Sequence, residues 1–264
     1  MKTKNILLST IKAFAVIIFW VAVWVLISFR INNEFFFPSP VSVAKALIAL
    51  AVTSEFWITA LYSLLRVVFA ILVSLVIGSL LAVITESSSW VKALLSPALG
   101  VIKATPVASF IILALLWLER DSLPVFITAL IVIPIVWSNV SEGIRSVDRS
   151  LIDVTKAYKF TRLQKLTRLY LPSVSPFFMA ACKSSLGMAW KAGISAEVLS
   201  TPQKAIGTEL YFSKTYLETP SLFAWTLVVI IMSVIIEKLF VFSLEKLGNR
   251  LGILHLGGSC NDKA

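Results

Sequence analysis

The sequence predicts an all-α fold: a polytopic membrane protein of about six transmembrane helices, forming one domain over residues 1–264. Three observations predict it. Hydrophobic residues make up 58% of the chain and charged ones 14%, and the mean hydropathy is +0.90. A soluble domain of this length cannot hide that much apolar surface. The apolar residues collect in runs of roughly 18 or more, the length a helix needs to cross the hydrocarbon core. The Lys and Arg residues alternate in density between successive loops, as a fixed membrane topology requires.

Taken in order, the spans fall at about 11–29, 57–84, 98–118, 124–140, 174–198 and 221–242. The first follows a basic start of Lys2 and Lys4, with Lys12 at its head. Its apolar run exceeds a signal-peptide core, and SFRINNEFFFPSP follows it instead of a small-residue cleavage site, so it is expected to be retained as a helix. Residues 31–56 form the first outer loop. Pro38 and Pro40 favour an extended start, and a short amphipathic helix N-capped by Ser42 is expected next, lying on the outer surface or packed on neighbouring helices. The second span contains Gly78. The third contains Pro106 and the fourth Pro134; each removes a backbone donor and predicts a kink. Two such prolines in adjacent spans read either as ordinary kinks or as marks of a moving, pathway-lining unit. The last outer loop, STPQKAIGTELYFSKTYLETP, predicts a short re-entrant or surface helix between turns.

Charge gives the orientation. Lys2, Lys4 and Lys12 lie at the N-terminus, and Lys246, Arg250 and Lys263 follow the last span. The loop 141–173 carries Arg145, Arg149, Lys156, Lys159, Arg162, Lys165 and Arg168. The opposite face has Arg30, Lys45, Arg120, Lys204 and Lys214. The positive-inside rule places both termini and the long basic loop in the cytoplasm. The net charge of +10 is therefore mostly a topology signal, and no nucleic-acid partner is expected. Cys182 and Cys260 have no metal-ligand spacing and are not expected to pair. One histidine, His255, and no paired carboxylates in the spans leave a membrane enzyme without an acid–base or metal constellation. A self-sufficient secondary transporter would be expected to show internal repeats and midplane carboxylates, and neither is visible.

Residues 153–172, DVTKAYKFTRLQKLTRLYLP, carry a period of three. Basic residues stand at Lys156, Lys159, Arg162, Lys165 and Arg168, beside Val154, Ala157, Phe160, Leu163, Leu166 and Leu169. Each step of three turns an α-helix through about 300°, so the apolar stripe drifts and wraps round a single helix. A 3₁₀ helix of that length is uncommon. Two short α-helices with a bend near 159–161 are expected, apolar side against the bundle. Two readings stand: a surface connector held by anionic lipid, or a docking site for a partner.

The same segment resembles the cytoplasmic "EAA" loop of binding-protein-dependent ABC importer permeases: E-A-A, three residues, Gly, nine residues, I-x-L-P. Leu169-Tyr170-Leu171-Pro172 takes the last place, Lys159 the Gly place and Asp153-Val154-Thr155 the first. FPSPVSVAKAL, SLLRVVFAILVSLVIGSLLAV, KATPVASFIILALLW and SLGMAWKAGISAEVL are similar to stretches of the nitrate/sulfonate/taurine-type permeases, in the same order. The resemblance implies a type I ABC importer permease, multi-pass in the cell inner membrane. It implies a pathway shared with a second permease copy, ABC ATPase subunits on the EAA loops, and an extracytoplasmic substrate-binding protein. It also implies a coupling helix at about 153–162, with Asp153, Val154, Thr155, Ala157, Lys159, Phe160, Leu171 and Pro172 as the ATPase-coupling residues. No cofactor is expected on this chain; ATP and Mg belong to the ATPase, since the chain lacks G-x-x-x-x-G-K-[ST]. The departures are Asp153, one methylene shorter than Glu, and Lys159 in place of Gly. A left-handed Lys159 would cost about 1 kcal/mol.

Polar residues inside spans are the candidates for a solute pathway. Ser184, Met188, Lys191 and Ser195 share a helix face in the fifth span. Thr105 and Ser109 lie in the third span, Ser138 and Asn139 near the inner end of the fourth. Small polar residues also bind helices together, so packing is the competing reading for each. Lys191 lies roughly 10 Å from the outer end of its span and either meets an anion or snorkels to the interface. Arg66 and Glu197 are placed to form a structural pair, and Lys103 and Lys183 to snorkel from inner ends. The excess of positive charge in the spans points to an anionic solute, and the resemblance implies a sulfonate, taurine or nitrate. The alternative is a vitamin precursor of the thiamine or riboflavin type.

Overall fold

The computed structural model describes residues 2–250, with side chains over 14–243 and at 246. The side chains of Lys2, Lys4, Lys12 and Arg250, and the tail with His255, Cys260 and Lys263, lie outside the described residues. The described elements are all helical: α1 (Lys2–Ile31), α2 (Pro40–Ala51), α3 (Ser54–Ser87), α4 (Ser89–Ala104), α5 (Val107–Ala114), α6 (Leu123–Arg145), α7 (Arg149–Ala157), α8 (Arg162–Lys165), a π-helical turn (Leu166–Tyr170), α9 (Leu171–Ser200), α10 (Ile206–Thr215) and α11 (Thr219–Arg250).

Local chemistry sets the boundaries. The Ser39 hydroxyl accepts the Ser42 N–H at 3.1 Å, and Pro40 occupies the first helical position, where a missing N–H costs nothing. The cap of α2 is therefore Ser39; Ser42, the expected cap, instead donates its hydroxyl to Glu34. Thr53 caps α3 by accepting from Phe56 N at 3.3 Å.

The third predicted span is corrected. Residues 98–118 are not one kinked helix but the end of α4 and all of α5, turned by 104° about Thr105 and Pro106. Thr105 is extended (φ −80°, ψ 134°), the conformation that a following proline favours, and Pro106 has no N–H to continue the ladder. Pro134, by contrast, is buried inside a continuous α6.

Among the described residues, four helices are long and apolar enough to cross a membrane, α1, α3, α6 and α11, or five if α4 and α5 are one broken span. The fifth predicted span is α9, whose 30 residues reach about 45 Å. One side of it is packed into the molecule: Ala181, Cys182, Ser185, Ala189, Trp190 and Ala196 are buried.

The core lies between α3, α6 and α9, with Val67 and Ile71, Val132 and Val136, and Leu186 and Trp190 in one cluster. Packing is close where side chains vanish. A Cβ on Gly78 of α3 would lie 2.7 Å from Val136 Cβ, and one on Gly193 of α9 would lie 2.7 Å from Val67 and 3.0 Å from Thr128 Oγ1. In lipid, where apolar burial between helices gains little, such approaches supply the packing attraction. Trp190 Nε1 donates to Val229 O of α11 at 3.1 Å. The apolar windows of α1 and α11 are 0% and 6% buried against 56% for α6, so these two helices form the periphery.

Candidate functional site

The basic segment starts at Asp148, whose carboxylate accepts the Ser150 N–H at 2.9 Å and caps α7. The helix ends in a Schellman motif: Phe160 N donates to Thr155 O at 2.9 Å and Lys159 N to Lys156 O at 3.0 Å. Lys159 takes the left-handed conformation at φ 48°. The bend is thus where the period of three predicted it. The expected coupling helix of 153–162 is corrected to 149–157, because Asp148 starts it early and Lys159 turns the chain.

The second half is not a separate short helix. Thr161 and Gln164 form a capping box, with Thr161 N donating to Gln164 Oε1 at 2.8 Å. α8 then runs through the π-helical turn into α9 without a break. The π turn carries Leu171 N to Leu166 O. Widening there relieves the contact that Pro172 would make with the carbonyl four residues back.

Left-handed sterics cost Lys159 about 1–2 kcal/mol, of which glycine's extra chain entropy would return about 0.5–1. Lys159→Gly should therefore keep transport and raise stability slightly, by about 0.5 kcal/mol, read as a small rise in Tm. The Ser150 backbone N–H holds the Asp148 carboxyl below its usual 3.8. A depressed carboxylate pKa means that the cap stabilises above the unfolded value and fades as pH falls through the folded one. Asp148→Ala should lower the thermal midpoint at pH 7, with the gap to wild type closing as pH falls below 3.8.

The coupling residues divide by exposure. Asp153, Val154, Ala157, Lys159 and Leu171 are exposed, while Phe160 and Pro172 are half-buried. Thr155 faces inward at 4% exposure, and its hydroxyl donates to Ile152 O at 2.7 Å. Leu151, Val154 and Tyr158, spaced as one helical ridge, are 47%, 47% and 75% exposed. The ridge is flanked by the exposed Lys156 and Lys159. Leu151 and Tyr158 were not singled out from sequence, although their spacing from Val154 was there to be read.

The candidate pathway residues also separate. Ser184, Met188, Lys191 and Ser195 are all exposed on one face of α9, between the buried Ala189, Trp190, Ala192 and Ala196. Thr105 is half-buried at the α4–α5 break and bonds back to Val101 O at 2.8 Å; Ser109 is exposed in the first turn of α5. Asn139 is half-buried and gives its amide to Ile135 O of its own helix at 2.9 Å. Lys103 holds its ammonium 5.5 Å over the Trp137 ring, whose N–H donates to Thr85 Oγ1 at 2.9 Å.

The expected Arg66–Glu197 pair forms, at 3.5 Å. It belongs to a larger cluster at the C-terminal end of α9. Glu197 is fully buried and accepts Ser63 Oγ at 2.8 Å and Gly207 N at 3.1 Å on Oε2. A Cβ on Gly207 would lie 2.4 Å from Glu197 Cβ, so only glycine lets α10 approach α9 this closely. Ser63, Asp121 and Gly207 carry no local sequence signal, since their partners are brought together only by the fold.

Residues 74–251 match the family described as binding-protein-dependent transport system inner membrane component. The chain belongs to this family. Among relatives of this permease is a protein of Bacillus subtilis described as an aliphatic sulfonates transport permease, SsuC, 23% identical over 86% of this chain and 82% of that one. The SsuC of Escherichia coli is 28% identical over 69% of each chain. The nitrate import permease protein NrtB of Leptolyngbya laminosa is 28% identical over 52% of this chain and 50% of that one. A bacterial alginate ABC transporter, solved in complex with an alginate pentasaccharide-bound periplasmic protein, has a chain that superposes with a TM-score of 0.60 at 15% identity. The match covers 94% of this permease and 93% of that chain, and shows the fold. This permease is thus an integral inner-membrane transport subunit of a binding-protein-dependent ABC importer, of the sulfonate and nitrate type.

Proposed function

We propose that two copies of this permease enclose a pathway for a small organic or inorganic anion, delivered by an extracytoplasmic binding protein and driven by ABC ATPase subunits seated on α7. The carrying observation is the exposed stripe Ser184–Met188–Lys191–Ser195, opposite the buried Ala189, Trp190, Ala192 and Ala196. A lysine on a lipid-facing surface at that depth is costly, whereas lining a wet cavity it is tolerated and attracts anions. Relatives named for sulfonates, nitrate and bicarbonate favour an anion over a vitamin precursor, and others are named for the zwitterion glycine betaine. On this reading α9 and the bent α4–α5 pair complete six crossings, both termini are cytoplasmic, and the basic side of 156–168 lies near anionic lipid. The chain holds no cofactor and performs no chemistry of its own; ATP and Mg act on the partner.

Proteoliposomes test it directly. The permease, its ATPase and a binding protein should together take up labelled sulfonate, taurine or nitrate in an ATP-dependent way, and the permease alone should move none. Uptake by the isolated chain, or failure to associate with any ABC ATPase, would overturn the proposal.

A further inference from the structure

Three outer segments meet on one guanidinium. Arg66 on α3 donates to Gln203 O at 2.8 Å and to Lys204 O at 3.2 Å. The same group lies 3.5 Å from Glu197 on α9 and 3.5 Å from Asp121, in the turn before α6. Asp121 Oδ1 in turn accepts the Gln203 N–H at 2.9 Å. Ser63 closes the cluster from below, donating to Glu197 Oε2 and accepting the Ile206 N–H at 2.9 Å. One network therefore ties α3, α9, the start of α10 and two outer loops.

The network runs from solvent to core. The side chain of Asp121 is 59% exposed, that of Arg66 14% and that of Glu197 0%. Its buried end is on the helix that carries the stripe, two residues from Ser195 and six from Lys191. The loop it holds has two non-glycine residues in the left-handed conformation, Thr201 (φ 47°) and Lys204 (φ 48°). Such residues persist only while surrounding contacts fix them. Arg66 supplies contacts at Gln203 and Lys204, and Asp121 supplies one more.

We infer that Asp121 and Arg66 are positioning residues of the transport cycle: the exposed carboxylate is the handle by which a partner on the outer face shifts the loop 201–205, and Arg66 carries that shift to Glu197 and α9. The inference rests on the importer reading above. A partner presenting a Lys or Arg side chain fits the handle, because it competes with Gln203 N and Arg66 for the Asp121 oxygens. Differential contact of that kind is what a bound protein needs to bias one arrangement over another.

The test uses the complete complex in proteoliposomes, with Asp121→Ala and Arg66→Lys. Asp121 is exposed, so its replacement leaves the buried Glu197 contacts in place. ATP hydrolysis is measured with and without saturating loaded binding protein. Stimulation by the binding protein should fall about fivefold or more in both variants, while basal hydrolysis and the yield of assembled complex stay at wild-type levels. Raising the binding-protein concentration should not restore the Asp121→Ala maximum. Restoration would make Asp121 a docking contact only and overturn the inference. Unchanged stimulation would overturn it too, as would basal activity and yield falling in step with stimulation. If the wild-type complex shows no stimulation by any binding protein, the importer reading falls and takes this inference with it.

Discussion

Lys191→Ala is expected to abolish ATP-driven uptake while leaving the complex with its ATPase assembled. Lys191 is exposed on α9, two turns inside the outer end, and its neighbours on that stripe are Met188 and Ser195. Its replacement opens no core cavity, since the buried side of α9 at this level is Ala189, Trp190 and Ala192. On the pathway reading, what is lost is a cation facing the solute. A charge-assisted hydrogen bond contributes about 1.5–3 kcal/mol, or roughly ten- to a hundredfold in the affinity of the pathway for its anion. Lys191→Arg keeps the charge and should retain part of the uptake. Initial rates of labelled-anion uptake, set beside the elution profile of the complex, separate transport from assembly. Normal uptake by Lys191→Ala would assign the lysine to the outer interface instead.

Glu197→Ala is expected to act first on stability, with the folded complex lost before transport can be read. It leaves Arg66 beside an empty site and strands the Gly207 N–H and the Ser63 hydroxyl, both buried. Removing one partner of a buried ion pair costs about 3–5 kcal/mol. The thermal midpoint in detergent should fall by many degrees. Glu197→Gln, which can still accept from Ser63 and Gly207, should fall much less. Equal midpoints for wild type and Glu197→Ala would mean that the cluster contributes nothing to holding α10 against α9 and α3.

How far each feature was legible follows from the range of the forces that set it. The bend at Lys159 was legible because a period of three conflicts with 3.6 residues per turn within the segment itself. The crossing helices α1, α3, α6 and α11 were legible because bilayer thickness sets their length. Pro106 and Pro134 looked alike, yet one marks a 104° turn and the other lies inside the unbroken α6. Packing decides between them: Pro134 is buried in the core, and Thr105 and Ser109 stand at an open break. Ser39 displaced Ser42 as a cap because Pro40 belongs at the first helical position. The α9 face was readable from spacing, since a helix buried on its other sides leaves one stripe to be unusual. The Asp121–Arg66–Glu197 line was readable only at the Arg66–Glu197 pair, because Asp121 and Gly207 reach it through contacts far apart in the chain.

The central claim is that the α9 stripe borders water along a shared pathway. Cysteine labelling tests it in a chain whose native Cys182 and Cys260 have been replaced. Met188→Cys and Ser195→Cys, in the complete complex, are treated with a membrane-impermeant thiol reagent beside Leu72→Cys and Leu80→Cys, whose parent side chains are exposed on the outer surface of α3. The account predicts that the α9 positions react, at rates that change when ATP and loaded binding protein are added, and that the α3 positions stay silent in lipid. Silence at Met188 and Ser195 under every condition, matching Leu72 and Leu80, would contradict it.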